Sequence, residues 1–179
     1  MPEYLPTGRE PDGGDRVAQA AYWVTVNSRR WTSAVDLEAE SDIAVCDSDP
    51  LKLHYSWSLA RIGVDAPSRF ELEYSRVRQA MTSRRLGFVD MVLLLSPDEV
   101  TLRRQKEADA TRTRRSFDLH LRLRGPLEEW YGQLETLRPG RVRRDAATVV
   151  RSSSSDRRPA ADRYDADLLD ALIAALPAV

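Results

Sequence analysis

Apolar side chains recur at the spacing of an α-helix along most of this 179-residue chain. Asp15 is a typical N-cap, and the apolar positions after it predict a first helix of about 20 residues. Pro50 and Gly63 bound a second predicted helix, and Pro67 and Gly87 bound a third, because proline favours the first helical turn and glycine favours the helix end. Further helical patterns cover residues 97–107, about 113–137 and 164–176.

Three apolar runs predict β-strands. The clearest is FVDMVLLL at 88–95, and the other two cover residues 42–46 and 141–150. Continuous rather than alternating apolar runs are typical of parallel strands that are buried on both faces. Strands separated by helices therefore predict an α/β fold, a three-layer parallel sheet with helices on both faces.

The same patterns divide the chain into three parts. Residues 1–150 contain all the predicted strands and form the predicted core. Residues 151–163 are polar and of low complexity, which is typical of a linker, and residues 164–179 carry the C-terminal helix.

Charge and cysteine content narrow the class of function. The 27 basic residues are almost cancelled by 28 acidic ones, so the sequence does not favour binding to nucleic acid. The single cysteine, Cys46, excludes an internal disulfide. No signal peptide and no apolar run of about 20 residues is present, which favours a cytoplasmic protein without a membrane partner.

Two carboxylates stand where ligands bind in parallel sheets, at the carboxyl end of the predicted strand 42–46. Asp47 and Asp49 are suited to holding Mg²⁺ or to orienting a hydroxyl group for phosphoryl transfer. The alternative is structural, because Asp49 or Ser48 is also a suitable N-cap for a helix that begins at Pro50.

A second candidate site is the arginine-dense joint between two predicted helices, at 108–115. Its guanidinium groups suit phosphate oxygens, and a joint between helices suits a lid. The alternative is a solvated helix surface with ion pairs. The candidate phosphate-binding residues of the joint are Arg112, Arg114 and Arg115.

Other polar and aromatic residues give weaker signals. Glu3 alone is more typical of a solvated carboxylate than of a catalytic base. His54 and His120 have no partner at metal-binding spacing, so each is predicted to be a surface or half-buried histidine. Trp23 and Trp31 follow the helical apolar spacing and are compatible with packing or with a homodimer face.

The order of EYLPTG, NSRRW, DSDP, FVDMVLLLSP and the arginine-dense joint resembles P-loop kinases of the nucleoside and nucleotide kinase group, over about residues 1–150. This resemblance implies ATP and Mg²⁺ as cofactors and a nucleoside or nucleotide as substrate. It also implies that Glu3 contacts or activates the substrate, that Asp47 and Asp49 lie near the metal, and that the joint's arginines clamp phosphates.

The phosphate loop of that group, G-x-x-x-x-G-K-[ST], is missing from the chain. Its nearest match runs from Gly8 to Asp15, where Gly14 replaces the lysine and Asp15 replaces the hydroxyl residue. Two hypotheses remain open. The chain is either an N-terminally truncated, inactive kinase-like protein, or a non-catalytic α/β binding or scaffold module whose arginine-rich joint holds an anion or a partner.

Overall fold

The computed structural model describes residues 10–11, 14–108, 116–144 and 160–179, most of which are helical. The helices are α1 (Arg16–Ser41), α2 (Leu53–Arg61), α3 (Pro67–Thr82), α4 (Glu99–Ala108), α5 (Phe117–Leu137), α6 (Ala160–Arg163) and α7 (Ala166–Ala175). The strands are β1 (Val92–Leu93) and β2 (Val142–Arg143). None of these helices is both long and apolar enough to cross a lipid bilayer.

The predicted three-layer α/β architecture is wrong. Within the described ranges the sheet consists of β1 and β2 alone, which pair in parallel with Val92 opposite Val142. The N–H groups of Val92 and Leu94 each donate to a carbonyl of the β2 segment at 2.8 Å. Such a short ladder cannot form a layer, so helix packing supplies the core.

The predicted strand at 42–46 is absent, and the two largest apolar side chains of this segment face solvent. Ile43 is 56% exposed and Val45 is 69% exposed. Asp42 takes a left-handed conformation with φ of 62° and ends α1, which runs beyond its predicted end near residue 35. The chain then leaves the helix as an irregular segment that leads to Asp47.

The run at 88–95 is only partly buried and is mostly not paired in a sheet. Only Val92 and Leu93 are in a strand, while Phe88 and Leu94 are buried and Leu95 is 60% exposed. The third predicted strand is reduced to Val142–Arg143, and residues 145–150 lie outside the described residues.

The helix predictions are largely confirmed. Besides the longer α1, the difference lies in α2, which begins at Leu53 instead of Pro50, whereas α3 begins at Pro67 as predicted. The C-terminal helix is also present as α7, and the Asp165 carboxylate accepts a hydrogen bond from Leu168 N–H at its start.

Helix α3 lies at the centre of the packing, where it contacts α1, α2 and α7, while α5 packs against α2 and α7. Trp31 is buried in this core, and its indole N–H donates to the Tyr164 hydroxyl. The largest fully buried apolar side chains are Trp57, Trp130, Leu51, Leu53, Met81, Leu86, Leu134, Leu169, Leu172 and Val77.

Arg163 joins three segments that are distant in sequence. Two of its guanidinium nitrogens donate to the two Glu38 oxygens at 2.6 and 2.7 Å, and the same group also donates to both oxygens of Asp90. The hydrogen bonds to Glu38 and Asp90 raise the pKa of Arg163 above its usual value. We call this set the Arg163 clamp. It fixes the end of α1 and the segment before β1 to α6.

Gly87 lies where backbone and rings leave no room for a side chain. A Cβ atom there would be 2.6 Å from the Arg163 carbonyl oxygen and 2.9 Å from Trp31 Cζ2. Backbone cannot move away as easily as the tip of a flexible side chain. The close contact between residue 87 and α6 therefore requires glycine.

Gly87→Ala is expected to lower the free energy of unfolding by about 1–3 kcal/mol, since added volume in a packed site forces neighbours apart. Urea denaturation followed by circular dichroism measures the change. Gly132→Ala in α5 is the matched control, because nothing lies within 4 Å of its added Cβ. It should stabilise the helix by about 0.5–1 kcal/mol. Equal losses in both variants would contradict this account of Gly87.

Candidate functional site

Side chains from three helices meet at the segment Asp47–Asp49. Arg30 comes from α1, His54 from α2 and Tyr131 from α5. We call these side chains, together with those of Asp47, Ser48 and Asp49, the polar cluster. It combines both sequence-predicted aspartates with an arginine and a tyrosine that sequence reasoning did not select.

The first half of the polar cluster is an ion pair at the protein surface. Arg30 Nη2 donates to Asp47 Oδ1 at 3.2 Å and to Ser48 Oγ at 3.1 Å. The Arg30 side chain is 9% exposed, whereas that of Asp47 is 44% exposed. Nε and Nη1 of Arg30 are buried and find no hydrogen-bond partner in the described part of the chain. The guanidinium group is thus buried but only partly satisfied.

The second half of the polar cluster is a hydrogen-bonded chain. Asp49 Oδ1 accepts from Leu51 N–H at 2.9 Å, which closes a tight turn before α2. Asp49 Oδ2 accepts from the Tyr131 hydroxyl at 3.0 Å, and the phenolic oxygen lies 3.3 Å from His54 Nδ1. Because the single phenolic proton points to Asp49, the imidazole carries its proton on Nδ1 and donates to Tyr131.

Burial sets the charge state of this chain. Loss of hydration lowers the pKa of His54 to about 4, although the nearby Asp49 carboxylate opposes the change. Burial, together with Asp49, raises the pKa of Tyr131 well above its usual value. Imidazole and phenol are therefore both neutral at pH 7, and Arg30 is the cation of the polar cluster.

The two aspartates do not fit a magnesium ion. Asp47 pairs with Arg30, and both oxygens of Asp49 accept hydrogen bonds from Leu51 and Tyr131. Among the described residues no group of three His, Cys, Asp or Glu side chains could hold a metal ion. The structural alternative for Asp49 gains support, since its side chain stabilises the turn that precedes α2. The catalytic role of Asp47 stays a prediction.

The other predicted site residues fall outside the part of the chain that the structure describes. They are Glu3, Arg112, Arg114 and Arg115. At the described edge of the joint, Arg103 pairs with Glu99 at 2.7 Å and lies over the Phe117 ring, as expected of a solvated, ion-paired helix surface. His54 is partly buried and His120 is exposed, in line with the predictions for them.

No local motif marks Arg30 or Tyr131 as a site residue, so the prediction from sequence did not include them. Arg30 is three residues after Asn27 and four before Ala34, and both neighbours are buried. Tyr131 is three residues before the buried Leu134. This spacing places both polar groups on inward-facing sides of their helices, which is a signal that the sequence contains.

No family model matches this chain, and no curated protein or solved structure is significantly similar to it. The resemblance to P-loop kinases therefore stays a prediction from sequence motifs. The geometry and charges of the polar cluster are therefore the evidence for what the chain binds.

Acid is expected to destabilise the native state through His54. The unfolded chain takes up a proton near the ordinary pKa of 6.5, whereas the folded imidazole resists protonation until about pH 4. The unfolded state therefore binds more protons between these two values, so stability is lost as the pH falls through this window. The loss attributable to this group is at most about 3 kcal/mol.

His54→Asn tests this expectation, because asparagine retains an N–H donor near the Nδ1 position but does not titrate. Urea unfolding at a series of pH values between 7 and 4 should give a shallower decline for the variant than for the natural chain. His120→Asn is the control, since it removes an exposed imidazole of α5 that is outside the polar cluster. An unchanged pH profile in His54→Asn would refute the assignment.

Proposed function

We propose that this chain is a non-catalytic binding module that holds an anion at Arg30. The observation that supports the proposal is a buried guanidinium group with one of its three nitrogens hydrogen-bonded. Buried charges in proteins are normally paired and fully hydrogen-bonded, because removing a charge from water costs several kcal/mol. Arg30 departs from that rule.

The internal partner of Arg30 compensates its charge only in part. Arginine–carboxylate pairs are often bidentate, with distances of about 2.7–2.9 Å. Asp47 offers one oxygen at 3.2 Å and is itself largely solvated. An external phosphate group that replaced Asp47 at Nη2 would offer the guanidinium group more acceptor oxygens than this carboxylate does.

Binding without chemistry is the proposal because the carboxylates of the polar cluster are engaged internally. Asp47 faces Arg30, and Asp49 is held by the Leu51 N–H and the Tyr131 hydroxyl. The proposed anion site also differs from the joint predicted from the sequence, since it uses a guanidinium group in α1. The proposal retains the cytoplasmic setting that the sequence favours.

Thermal unfolding with inorganic phosphate, ATP and Mg·ATP tests the proposal, with sodium chloride at matched ionic strength as the reference. A ligand that binds only the native state stabilises it by about 2.7 kcal/mol when present at 100 times its Kd. Phosphate should therefore raise the Tm of the natural chain. Arg30→Met should abolish this rise, and Arg30→Lys should weaken binding about tenfold, because lysine lacks the planar fork.

Arg29→Met is the matched control, since Arg29 is the exposed neighbour on the same helix. It removes the same charge and should retain the phosphate response. The proposal fails if no anion raises the Tm, or if the Arg29 and Arg30 variants lose the response equally. Transfer of phosphate from Mg·ATP to a nucleoside, measured with the same preparation, would overturn the non-catalytic part and favour the kinase-like hypothesis.

A further inference from the structure

An anion already lies beside Arg30, namely the carboxylate of Asp47. We propose that Asp47 is the specificity-determining residue of the Arg30 site, an internal competitor that yields to anions of the phosphate class and excludes monocarboxylates. This inference rests on the proposed anion-binding function. It concerns which anions reach the guanidinium group, rather than whether one does.

The position of Asp47 permits exchange with an external anion. Its side chain is 44% exposed, against 9% for Arg30, so the pair lies at the boundary between protein and solvent. If the carboxylate leaves Arg30 it returns to water, not to another buried site. Nη2, the nitrogen next to this exposed carboxylate, is thus the part of the guanidinium group that an incoming anion meets first.

The neighbouring residues limit the movement that the exchange requires. Pro50 is fully buried, and Asp49 is tied to the Leu51 N–H and to the Tyr131 hydroxyl. Asp47 and Ser48, by contrast, belong to no helix or strand, and their side chains hydrogen-bond with Arg30 and with each other. A shift of these two residues can therefore occur while Asp49 and α2 stay in place.

Competition with Asp47 discriminates between classes of anion. The Asp47 carboxylate is intramolecular, so its effective concentration at Arg30 is on the order of millimolar or higher. Acetate brings the same single charge and the same two oxygens, and so has no advantage over it. A phosphate group carries about −1.5 to −2 charges at pH 7 and three strong acceptor oxygens. It can bond Nη2 and the Ser48 hydroxyl at the same time.

Asp47→Asn tests this role, because it removes the charge and keeps the shape. Calorimetric titration should show phosphate binding about tenfold tighter in the variant, since a like charge next to the ligand is gone. Acetate, which should not bind the natural chain measurably, should now bind. Phenyl phosphate is titrated alongside inorganic phosphate, and whichever binds tighter assigns the site to phosphate monoesters or to free phosphate.

Asp36→Asn is the charge-matched control, since Asp36 is an exposed aspartate of α1. It should leave both affinities unchanged. Asp47→Ser should reproduce the Asp47→Asn result and guards against an effect of the new amide group. If Arg30→Met abolishes phosphate binding while Asp47→Asn and Asp47→Ser bind like the natural chain, the role of Asp47 is refuted and the anion site stands. If neither the natural chain nor the Asp47 variants bind phosphate, both proposals are refuted.

Discussion

The fold depends on one arginine that holds three remote segments together. The two-residue ladder between β1 and β2 is too short to position the segment before β1. The Arg163 clamp does this through Glu38 and Asp90, and the Arg163 carbonyl accepts a hydrogen bond from Phe88 N–H at 2.8 Å. Removing one partner of such a buried pair typically costs about 3–5 kcal/mol, because the other charges stay buried without it. The Arg163 clamp therefore holds segments that are distant in sequence together, as the hydrogen bonds of a wider sheet do in an α/β domain.

Arg163 and Arg30 are both largely buried, yet their surroundings differ. All three guanidinium nitrogens of Arg163 donate to carboxylate oxygens, whereas Arg30 satisfies Nη2 alone. Full satisfaction stabilises one native arrangement, which is the structural use of a buried arginine. Partial satisfaction leaves a guanidinium group that gains from a ligand with more acceptor oxygens, which in our proposal enters at Nη2 because Nε and Nη1 are buried. An arginine side chain thus stabilises the fold at position 163 and, in our proposal, binds a ligand at position 30.

Helices could be predicted from the sequence because a period of 3.6 residues is a local property, and Asp15, Gly63 and Pro67 mark their ends. Strands could not, because a short apolar run is equally compatible with pairing in a sheet and with burial against helices. Phe88, for example, is buried in the core without belonging to a strand. The polar cluster was only half predictable for a similar reason, since Asp49 and Tyr131 are 82 positions apart and nothing local joins them.

The charges of the polar cluster explain why the proposed anion binding depends on the movement of Asp47. His54 and Tyr131 are neutral, so the charged groups of the polar cluster are Arg30 and the carboxylates of Asp47 and Asp49, and an additional anion meets net negative charge. The Asp49 carboxylate is held by two donors and cannot withdraw. Asp47 can, and its withdrawal changes the balance at Arg30 by one unit in favour of the ligand. In our proposal, affinity for the anion therefore depends on the position of Asp47 and Ser48, while Asp49 stays fixed to α5 through Tyr131.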